Sequence, residues 1–242
     1  MPEAIKVEVP YGGTVTSLIY PALRSESHTV VSGQRVARSG SQVTIILGHG
    51  AGANQTSRFM VEFAEGLAAR GCNAATFNFP YTEHGRKIPD PAQKLEACWR
   101  AVIEAIASHA GLANAKLIIG GKSMGGRIAS QMAAAGSQGA RGLVFLGYPL
   151  HPPGRPEKLR AEHLSRIGLP MLFVQGSRDT FGTPDELRPI IESLRPQPLL
   201  HVIDGGDHSF KVPKKGPLSQ TQVYESVLDE VARWSAEIVA GI

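Results

Sequence analysis

Short, uninterrupted runs of apolar residues that alternate with helix-patterned segments constrain this fold more than any other feature of the sequence. Gly, Pro or Asn closely follows these runs. We predict strands there, over residues 43–47, 74–77, 117–119, 142–146, 171–175 and 200–203. Strands have this composition when both faces of their sheet are buried, as in parallel sheets covered by helices. The alternation therefore predicts an α/β fold with a mostly parallel sheet and helices on both of its faces.

Two further apolar runs precede this region, over residues 5–9 and 15–20. They flank a Gly-Gly pair and are predicted to form an antiparallel hairpin, which brings the predicted sheet to eight strands. Pro91 suits the first turn of a helix, and Thr183 suits an N-cap position. Helices are predicted between and after the strands, over residues 58–70, 91–109, 124–135, 184–194 and 221–238.

Two segments interrupt the alternation. Residues 24–42 are polar and rich in Ser, Gly and Arg, and we predict a flexible loop there. Residues 147–168 are rich in proline and stand where a lid is often inserted, so we predict a short lid-like insertion. This segment is too short for a large cap domain. The length of the chain suits one α/β domain over residues 1–242.

Charge and cysteine content argue against several classes of protein. The net charge is +4 and the Lys and Arg residues are scattered, so we predict no nucleic-acid partner. The N-terminus has no basic and apolar leader, and no run approaches the roughly 18 apolar residues of a membrane helix, so no membrane association is predicted. Cys72 and Cys98 have no metal-ligand spacing and favour a reducing compartment, for which we take the cytoplasm.

The sequence Gly-Lys-Ser-Met-Gly at residues 121–125 is the strongest chemical signal. It lies between a predicted strand and a helix rich in small residues, which is the context that a G-x-S-x-G nucleophile elbow requires. The flanking glycines avoid the clashes that side chains would make in such a strained turn. We predict that Ser123 is a nucleophile at a helix N-terminus. The alternative is a Gly-rich turn before an ordinary helix.

A nucleophilic serine needs a base, and the base needs an orienting acid. Asp179 follows the predicted strand over residues 171–175, and His208 follows the last predicted strand. Both lie at C-terminal strand ends, where open α/β sheets place their sites. We therefore predict a catalytic triad of Ser123, His208 and Asp179.

Other residues compete for the roles of base and acid. The competitors are His151, His163, His201, Asp204 and Asp207. The position of His208 directly after the last strand, between Gly-Gly-Asp and an aromatic residue, favours it over the other histidines. Asp207 would point away from its neighbour His208 in an extended backbone, so we predict that Asp207 braces the loop.

The loop after the strand at residues 43–47 has the sequence Gly-His-Gly-Ala-Gly-Ala, at residues 48–53. Small residues allow its backbone to approach a substrate oxygen, so we predict an oxyanion hole formed by the N–H groups of Ala51 and Met124. His49 is predicted to order this loop by hydrogen bonds.

Aromatic residues after the strands are predicted to line a shallow, open pocket. They are Phe79, Tyr81, Tyr148 and Phe181, with His151 beside them. Lys122, His151 and Arg127 could also attract an anionic group, although such side chains are more often simply solvated.

Two cofactor-binding motifs are matched only in part. A phosphate-binding loop ending in Gly-Lys-Ser needs a glycine where Lys116 stands, and a dinucleotide fingerprint at residues 50–52 needs one where Gln55 stands. No His, Cys, Asp or Glu cluster has metal-ligand spacing. We therefore predict no cofactor and no metal.

Five segments together resemble the small α/β-hydrolases related to dienelactone hydrolase. They are residues 48–53, 77–81, 120–127, 147–154 and 205–210. More closely, they resemble a branch of bacterial predicted hydrolases that also includes a testis-expressed animal protein and a subunit of an animal histone-acetyltransferase complex. The resemblance implies the α/β-hydrolase fold and a triad at Ser123, Asp179 and His208. It departs from dienelactone hydrolase itself, which has a cysteine nucleophile.

The expected function is that of a serine hydrolase. We expect a carboxylesterase that acts on a small-molecule ester, thioester or lactone through an acyl-enzyme. Because the animal relatives are interaction proteins and fold does not imply function, a hydrolase-fold protein-interaction module with little or no activity is the alternative. The sequence leaves the oligomeric state open.

Overall fold

The computed structural model of the chain describes residues 1–23, 30–31, 34–35 and 43–241. The loop predicted over residues 24–42 therefore lies almost wholly outside the described residues. Within that range the structure describes two strands of two residues each, Val30–Val31 and Gln34–Arg35, which pair antiparallel.

Eight of the ten described strands form one sheet, in the order β1-β2-β6-β5-β7-β8-β9-β10. The strands are β1 (Glu3–Val9), β2 (Gly13–Tyr20), β3 (Val30–Val31), β4 (Gln34–Arg35), β5 (Val43–Gly48), β6 (Asn73–Phe77), β7 (Lys116–Lys122), β8 (Ala140–Leu146), β9 (Met171–Gly176) and β10 (Leu199–Ile203). The β1–β2 and β2–β6 pairs are antiparallel, and all other pairs in this sheet are parallel. The predicted mostly parallel sheet with an N-terminal hairpin is confirmed.

The strands in the middle of the sheet are apolar on both faces because both faces are covered. Every residue of β5 is buried. Ile46 packs into the same layer as Trp99, whereas Ile45 packs on the opposite side with Phe63. Successive side chains of a strand alternate between faces, and each fully buried Ile contributes roughly 1.5–3 kcal/mol. The apolar runs of the sequence therefore stabilise two cores, one on each face of the sheet.

Helices cover both faces, as predicted. They are α1 (Arg58–Ala69), α2 (Pro80–Glu83), α3 (Ala92–Ala107), α4 (Met124–Ala133), α5 (Pro184–Ser193) and α6 (Gln220–Ala240). Buried residues of α3, α4 and α5 belong to one core, and those of α1 and α6 belong to the other. The short helix α2 was not predicted, since four residues carry too little periodic pattern.

The helix starts follow local chemistry. Thr183 caps α5 with a capping box, in which Glu186 N donates to Thr183 Oγ1 and Thr183 N donates to the Glu186 carboxylate. The prediction that Pro91 lies in the first turn is wrong by one position. Pro91 is the N-cap of α3, because its ψ angle of 149° is extended rather than helical.

Residues 147–168 pack down on the body of the protein and form no large cap. The segment contains a 3-10 helix, Glu162–Arg166. The Tyr148 hydroxyl donates to the carbonyl of Arg160 at 2.7 Å, which closes the segment on itself. His163 is buried, and its Nε2 lies 2.7 Å from Ser130 Oγ on α4. Because Ser130 Oγ donates to the Arg127 carbonyl, it accepts the proton of His163 Nε2.

We expect His163 to make the protein less stable in acid. Burial, followed by the charges of Arg127 and Arg166, lowers its pKa from 6.5 to about 4. Unfolding exposes an imidazole that takes up a proton between these pH values, so stability is lost as the pH falls through this window. Relative to His163→Gln, the wild-type free energy of unfolding should fall by up to about 3 kcal/mol between about pH 7.5 and pH 4. Urea titrations at several pH values test this, and parallel pH profiles would contradict it.

Candidate active site

Ser123 lies in a sharp turn between β7 and α4. Its φ and ψ angles are 51° and −116°, a conformation that residues other than glycine rarely adopt. The Ser123 N–H donates to the carbonyl of Leu146 at 3.1 Å, which fixes the turn to the end of β8. The hydroxyl is therefore held at the carboxyl end of the parallel strands by backbone geometry.

Glycines on both sides of Ser123 let two backbone segments approach closely. A Cβ atom on Gly125 would lie 2.1 Å from the Gly48 carbonyl oxygen, and so would one on Gly121. The first turn of α4 therefore rests against the end of β5. The spacing G-x-S-x-G is required here by this contact rather than by the serine alone.

The structure brings Ser123, His208 and Asp179 together. His208 Nε2 lies 2.8 Å from Ser123 Oγ, and His208 Nδ1 lies 2.8 Å from Asp179 Oδ2. Because an ionised carboxylate only accepts hydrogen bonds, Nδ1 is the protonated nitrogen, and Nε2 is free to accept the serine proton. A hydroxyl, an imidazole and a carboxylate are thus joined in one hydrogen-bonded chain.

Asp179 is fully buried and its carboxylate is well satisfied. Besides the bond to His208, Oδ2 accepts from Gln175 Nε2 at 2.8 Å, and Oδ1 accepts from the Phe181 N–H at 2.8 Å. These donors offset the cost of removing the charge from water. Gln175 also accepts the Tyr148 N–H through Oε1, which fixes its amide.

The role of Gln175 was not predicted from the sequence. Its side chain is buried at 0% exposure in an otherwise apolar strand, β9. A polar residue at the end of such a run was the available signal, because a buried amide must find partners. Its position four residues before the candidate acid places it against that carboxylate.

The loop that carries His208 is braced on two sides. Asp207 Oδ1 accepts the N–H groups of Ser209 and Lys211, so Asp207 braces this loop as we predicted. Lys122 Nζ donates to the His208 carbonyl at 2.6 Å. Lys122 is buried, and burial lowers its pKa to about 8. Lys122 therefore ties the turn at Ser123 to the His208 backbone.

Two backbone N–H groups border Ser123 as candidates for an oxyanion hole. Met124 N–H is the first of α4, and Ala51 follows β5; neither donates to an acceptor among the residues that the structure describes. A Cβ on Gly50 would lie 3.7 Å from Ser123 Cβ, so this loop adjoins the serine. The Tyr81 hydroxyl donates to the Ala51 carbonyl at 2.9 Å, which holds the loop against the body of the protein.

His49 orders the same loop. Its Nδ1 lies 2.8 Å from the Gly50 carbonyl, and the Phe79 N–H donates to its Nε2 at 3.3 Å. His49 is fully buried, and burial lowers its pKa to about 4, so the ring is neutral at neutral pH. The hydrogen bonds agree with the structural role predicted for this residue.

A cavity of about 260 Å³ opens over Ser123. Its lining includes Ala51, Met124, Arg127, Pro149, Arg160 and Phe181. The Phe181 ring also stacks on the His208 imidazole, with centroids 4.2 Å apart. Phe181 therefore lies where it was predicted. Arg160 was missed, because it lies in an irregular segment with no periodic pattern to place it.

The other four residues predicted to line the pocket lie elsewhere, and this corrects the prediction. Phe79 and Tyr81 are fully buried, and Phe79 packs edge-on against the rings of His49 and Phe77. Tyr148 packs against Phe145 and Phe173 in the core. His151 is buried with Nε2 3.3 Å from Glu186 Oε1. Burying large aromatic surface stabilises the fold more than exposing it at a pocket wall.

The described residues contain neither a metal-binding cluster nor a membrane-spanning helix. No group of three or more His, Cys, Asp or Glu side chains in residues 1–23 and 43–241 could hold a metal ion. Within the same part of the chain, no helix combines the length and the apolar character that crossing a bilayer requires.

The sheet order, the helices on both faces and the turn at Ser123 define the architecture of α/β hydrolases. A family model described as an alpha/beta hydrolase domain matches residues 41–236. The chain belongs to this family.

Solved structures of similar fold come from several bacteria. A serine hydrolase without a lid from Xanthomonas campestris is 19% identical to this chain. The alignment covers 96% of this chain and 94% of that protein, with a TM-score of 0.70. A serine hydrolase homologue from Coxiella burnetii is 17% identical, with 96% of each chain covered and a TM-score of 0.71. Dienelactone hydrolase from Anabaena variabilis is 15% identical, with 98% and 97% covered and a TM-score of 0.71. These likenesses establish the fold.

The contact between α4 and β5 predicts an unusual response to alanine. Ala is favoured over Gly in a helix by about 1 kcal/mol, so Gly125→Ala would stabilise α4 if space allowed. The Gly48 carbonyl leaves no such space, and we expect a loss of at least about 2 kcal/mol in the free energy of unfolding.

Gly52→Ala is the matched control, because a Cβ there meets no atom within 4 Å. We expect this variant to lie within about 0.5 kcal/mol of wild type. Urea unfolding of both variants tests the contact. A Gly125→Ala protein as stable as Gly52→Ala would rule out the close approach.

Proposed function

We propose that the chain is a serine hydrolase that cleaves small esters, including thioesters and lactones, through an acyl-enzyme. The observation that carries this proposal is the hydrogen-bonded chain from Asp179 through His208 to Ser123. It ends at a strained turn beside two unused backbone N–H groups. Nucleophile, base, orienting acid and oxyanion donors are the parts that acyl transfer needs.

In the first half of the reaction, Ser123 Oγ attacks the carbonyl carbon of the ester and its proton passes to His208 Nε2. The buried carboxylate of Asp179 stabilises the resulting imidazolium. The negative charge on the former carbonyl oxygen is stabilised by the N–H groups of Met124 and Ala51. The tetrahedral intermediate then expels the alcohol, which takes the proton from His208.

In the second half, water attacks the acyl group on Ser123. His208 accepts a proton from this water, and the second tetrahedral intermediate uses the same two N–H donors. Its collapse releases the acid and returns the proton to Ser123 Oγ. Because the cavity lacks a large cap, small substrates reach the serine without a domain movement.

The strained serine argues for an enzyme over the alternative, a protein-interaction module. A non-glycine residue in such a conformation costs roughly 1–3 kcal/mol, which an association surface has no need to spend. The structural neighbours described as serine hydrolases support the same choice. The sequence also resembles the branch that includes a testis-expressed animal protein and an acetyltransferase-complex subunit. The protein-interaction module therefore stays as one possible outcome of the test.

The cysteines support a place for this reaction in the cytoplasm. Cys72 and Cys98 are both buried and unpaired. Burial raises the pKa of both thiols, that of Cys72 to about 11, so neither is reactive at neutral pH. Free thiols are typical of a reducing compartment.

We expect Ser123→Ala to lower kcat/KM for p-nitrophenyl acetate by about a thousandfold or more, because no other group can form the acyl-enzyme. A fluorophosphonate probe should label the wild type at Ser123 and leave the variant unlabelled. Ser226→Ala, an exposed serine on α6, is the control and should match the wild type in both measurements.

Two results would contradict the proposal. Equal ester hydrolysis by wild type and Ser123→Ala would exclude Ser123 as the nucleophile. A folded wild-type protein that neither hydrolyses the ester nor takes the probe would favour the interaction module.

A further inference from the structure

Two guanidinium groups share the cavity over Ser123. Arg127 comes from the first turns of α4, and Arg160 comes from the segment over residues 147–168. Neither forms an ion pair with any carboxylate in the described part of the chain, although most of the other buried or half-buried cations there have a polar partner. Two cations that line a candidate active site without a carboxylate partner could bind an anion from outside the protein.

The case for an unpaired charge is stronger for Arg127 than for Arg160. The Nε of Arg127 is buried and has no hydrogen-bond partner among the described residues. Burial, followed by the charge of Arg160, lowers the pKa of Arg127. An unpaired, desolvated charge destabilises a fold, and so does a like charge beside it. A bound anion would relieve both costs at once.

One carboxylate, that of Asp90, also lines the cavity, but it is already paired with other cations. Arg86 donates to both Asp90 oxygens, at 2.8 and 3.1 Å, and Lys94 Nζ lies 3.7 Å from Oδ1. Asp90 therefore does not balance Arg127 and Arg160. His163, behind Arg127, is neutral at neutral pH, so the cavity keeps a net positive charge.

The position of Arg127 on α4 determines how far a bound anion would lie from Ser123. Arg127 follows Ser123 by four residues, about one turn of α4, so its backbone lies roughly 6 Å further along the helix axis. A planar guanidinium binds a carboxylate through two parallel hydrogen bonds. An ester on Ser123 could then carry a carboxylate a few bonds away that reaches Arg127 and Arg160.

We propose that the cavity selects esters that bear a carboxylate, with Arg127 and Arg160 as the residues that bind it. The proposal rests on the hydrolase function proposed above and names its substrate class. Lys122, which ties the His208 loop, and His151, beside Glu186, take no part in this recognition.

A matched pair of substrates tests the proposal. p-Nitrophenyl hydrogen adipate carries a carboxylate, and its methyl ester is neutral and otherwise alike. We expect wild-type kcat/KM to favour the anionic ester by about tenfold or more, and Arg127→Met and Arg160→Met each to remove most of that preference. Arg155→Met, an exposed arginine of the same segment, should keep the wild-type preference.

Stability separates binding from a structural role. If Arg127 served the fold, Arg127→Met would lower the melting temperature. Because the variant removes an unpaired buried charge, we expect the melting temperature to stay or rise. A clear fall with no change in ester preference would overturn the proposal.

A binding measurement without catalysis completes the test. In the Ser123→Ala background, adipate should raise the melting temperature, whereas 1,6-hexanediol should not, and Arg127→Met should abolish the shift. Stabilisation by inorganic phosphate alone would overturn the carboxylate assignment. Serine-dependent hydrolysis without charge preference would overturn this inference and leave the hydrolase function intact. If neither ester is hydrolysed, the proposed hydrolase function is wrong. The shift of the melting temperature with adipate would still decide for or against the anion site.

Discussion

The backbone contact between the start of α4 and the end of β5 fixes the turn that carries Ser123, to which the rest of the site is joined. Gly121 and Gly125 carry no side chain, so the Gly48 carbonyl occupies the space that a Cβ atom would fill. This approach places the first turn of α4 beside the end of β5, and Gly50 in the loop that follows β5 adjoins Ser123. One methyl group at this contact would push the first turn of α4 away from the end of β5, so the glycines matter through distance and not through flexibility alone.

The remaining groups are joined to this contact by buried polar bonds. Gln175 connects the Asp179 carboxylate to the backbone of Tyr148, and Lys122 connects the turn at Ser123 to the backbone of His208. Such bonds are strong in a low-dielectric interior only when each partner is satisfied. The site is therefore a network that links the ends of four parallel strands, and the arrangement of Ser123, His208 and Asp179 depends on residues outside these three.

The sequence was informative where local chemistry decides the structure. Apolar runs located the strands, and G-x-S-x-G located the turn at Ser123, because a strained turn tolerates few residues. It failed where tertiary packing decides. Whether Phe79 or Tyr148 faces a pocket or the core depends on neighbours that are distant in sequence, and both are in the core. Arg160 lies in an irregular segment whose path is set by the Tyr148 hydroxyl and the buried His163, neither of which has a local signature.

The charged groups of the site lie in two different environments. The Asp179 carboxylate is buried and surrounded by three donors, so it orients the His208 ring and contributes little to the potential in the cavity. Arg127 and Arg160 line the cavity itself, where their field acts on any molecule that enters it. A positive field at that position attracts an anionic group before reaction and also stabilises the negative charge that develops on the carbonyl oxygen. In the proposed reaction, recognition and catalysis would draw on the same two cations, which would account for their lack of carboxylate partners among the described residues.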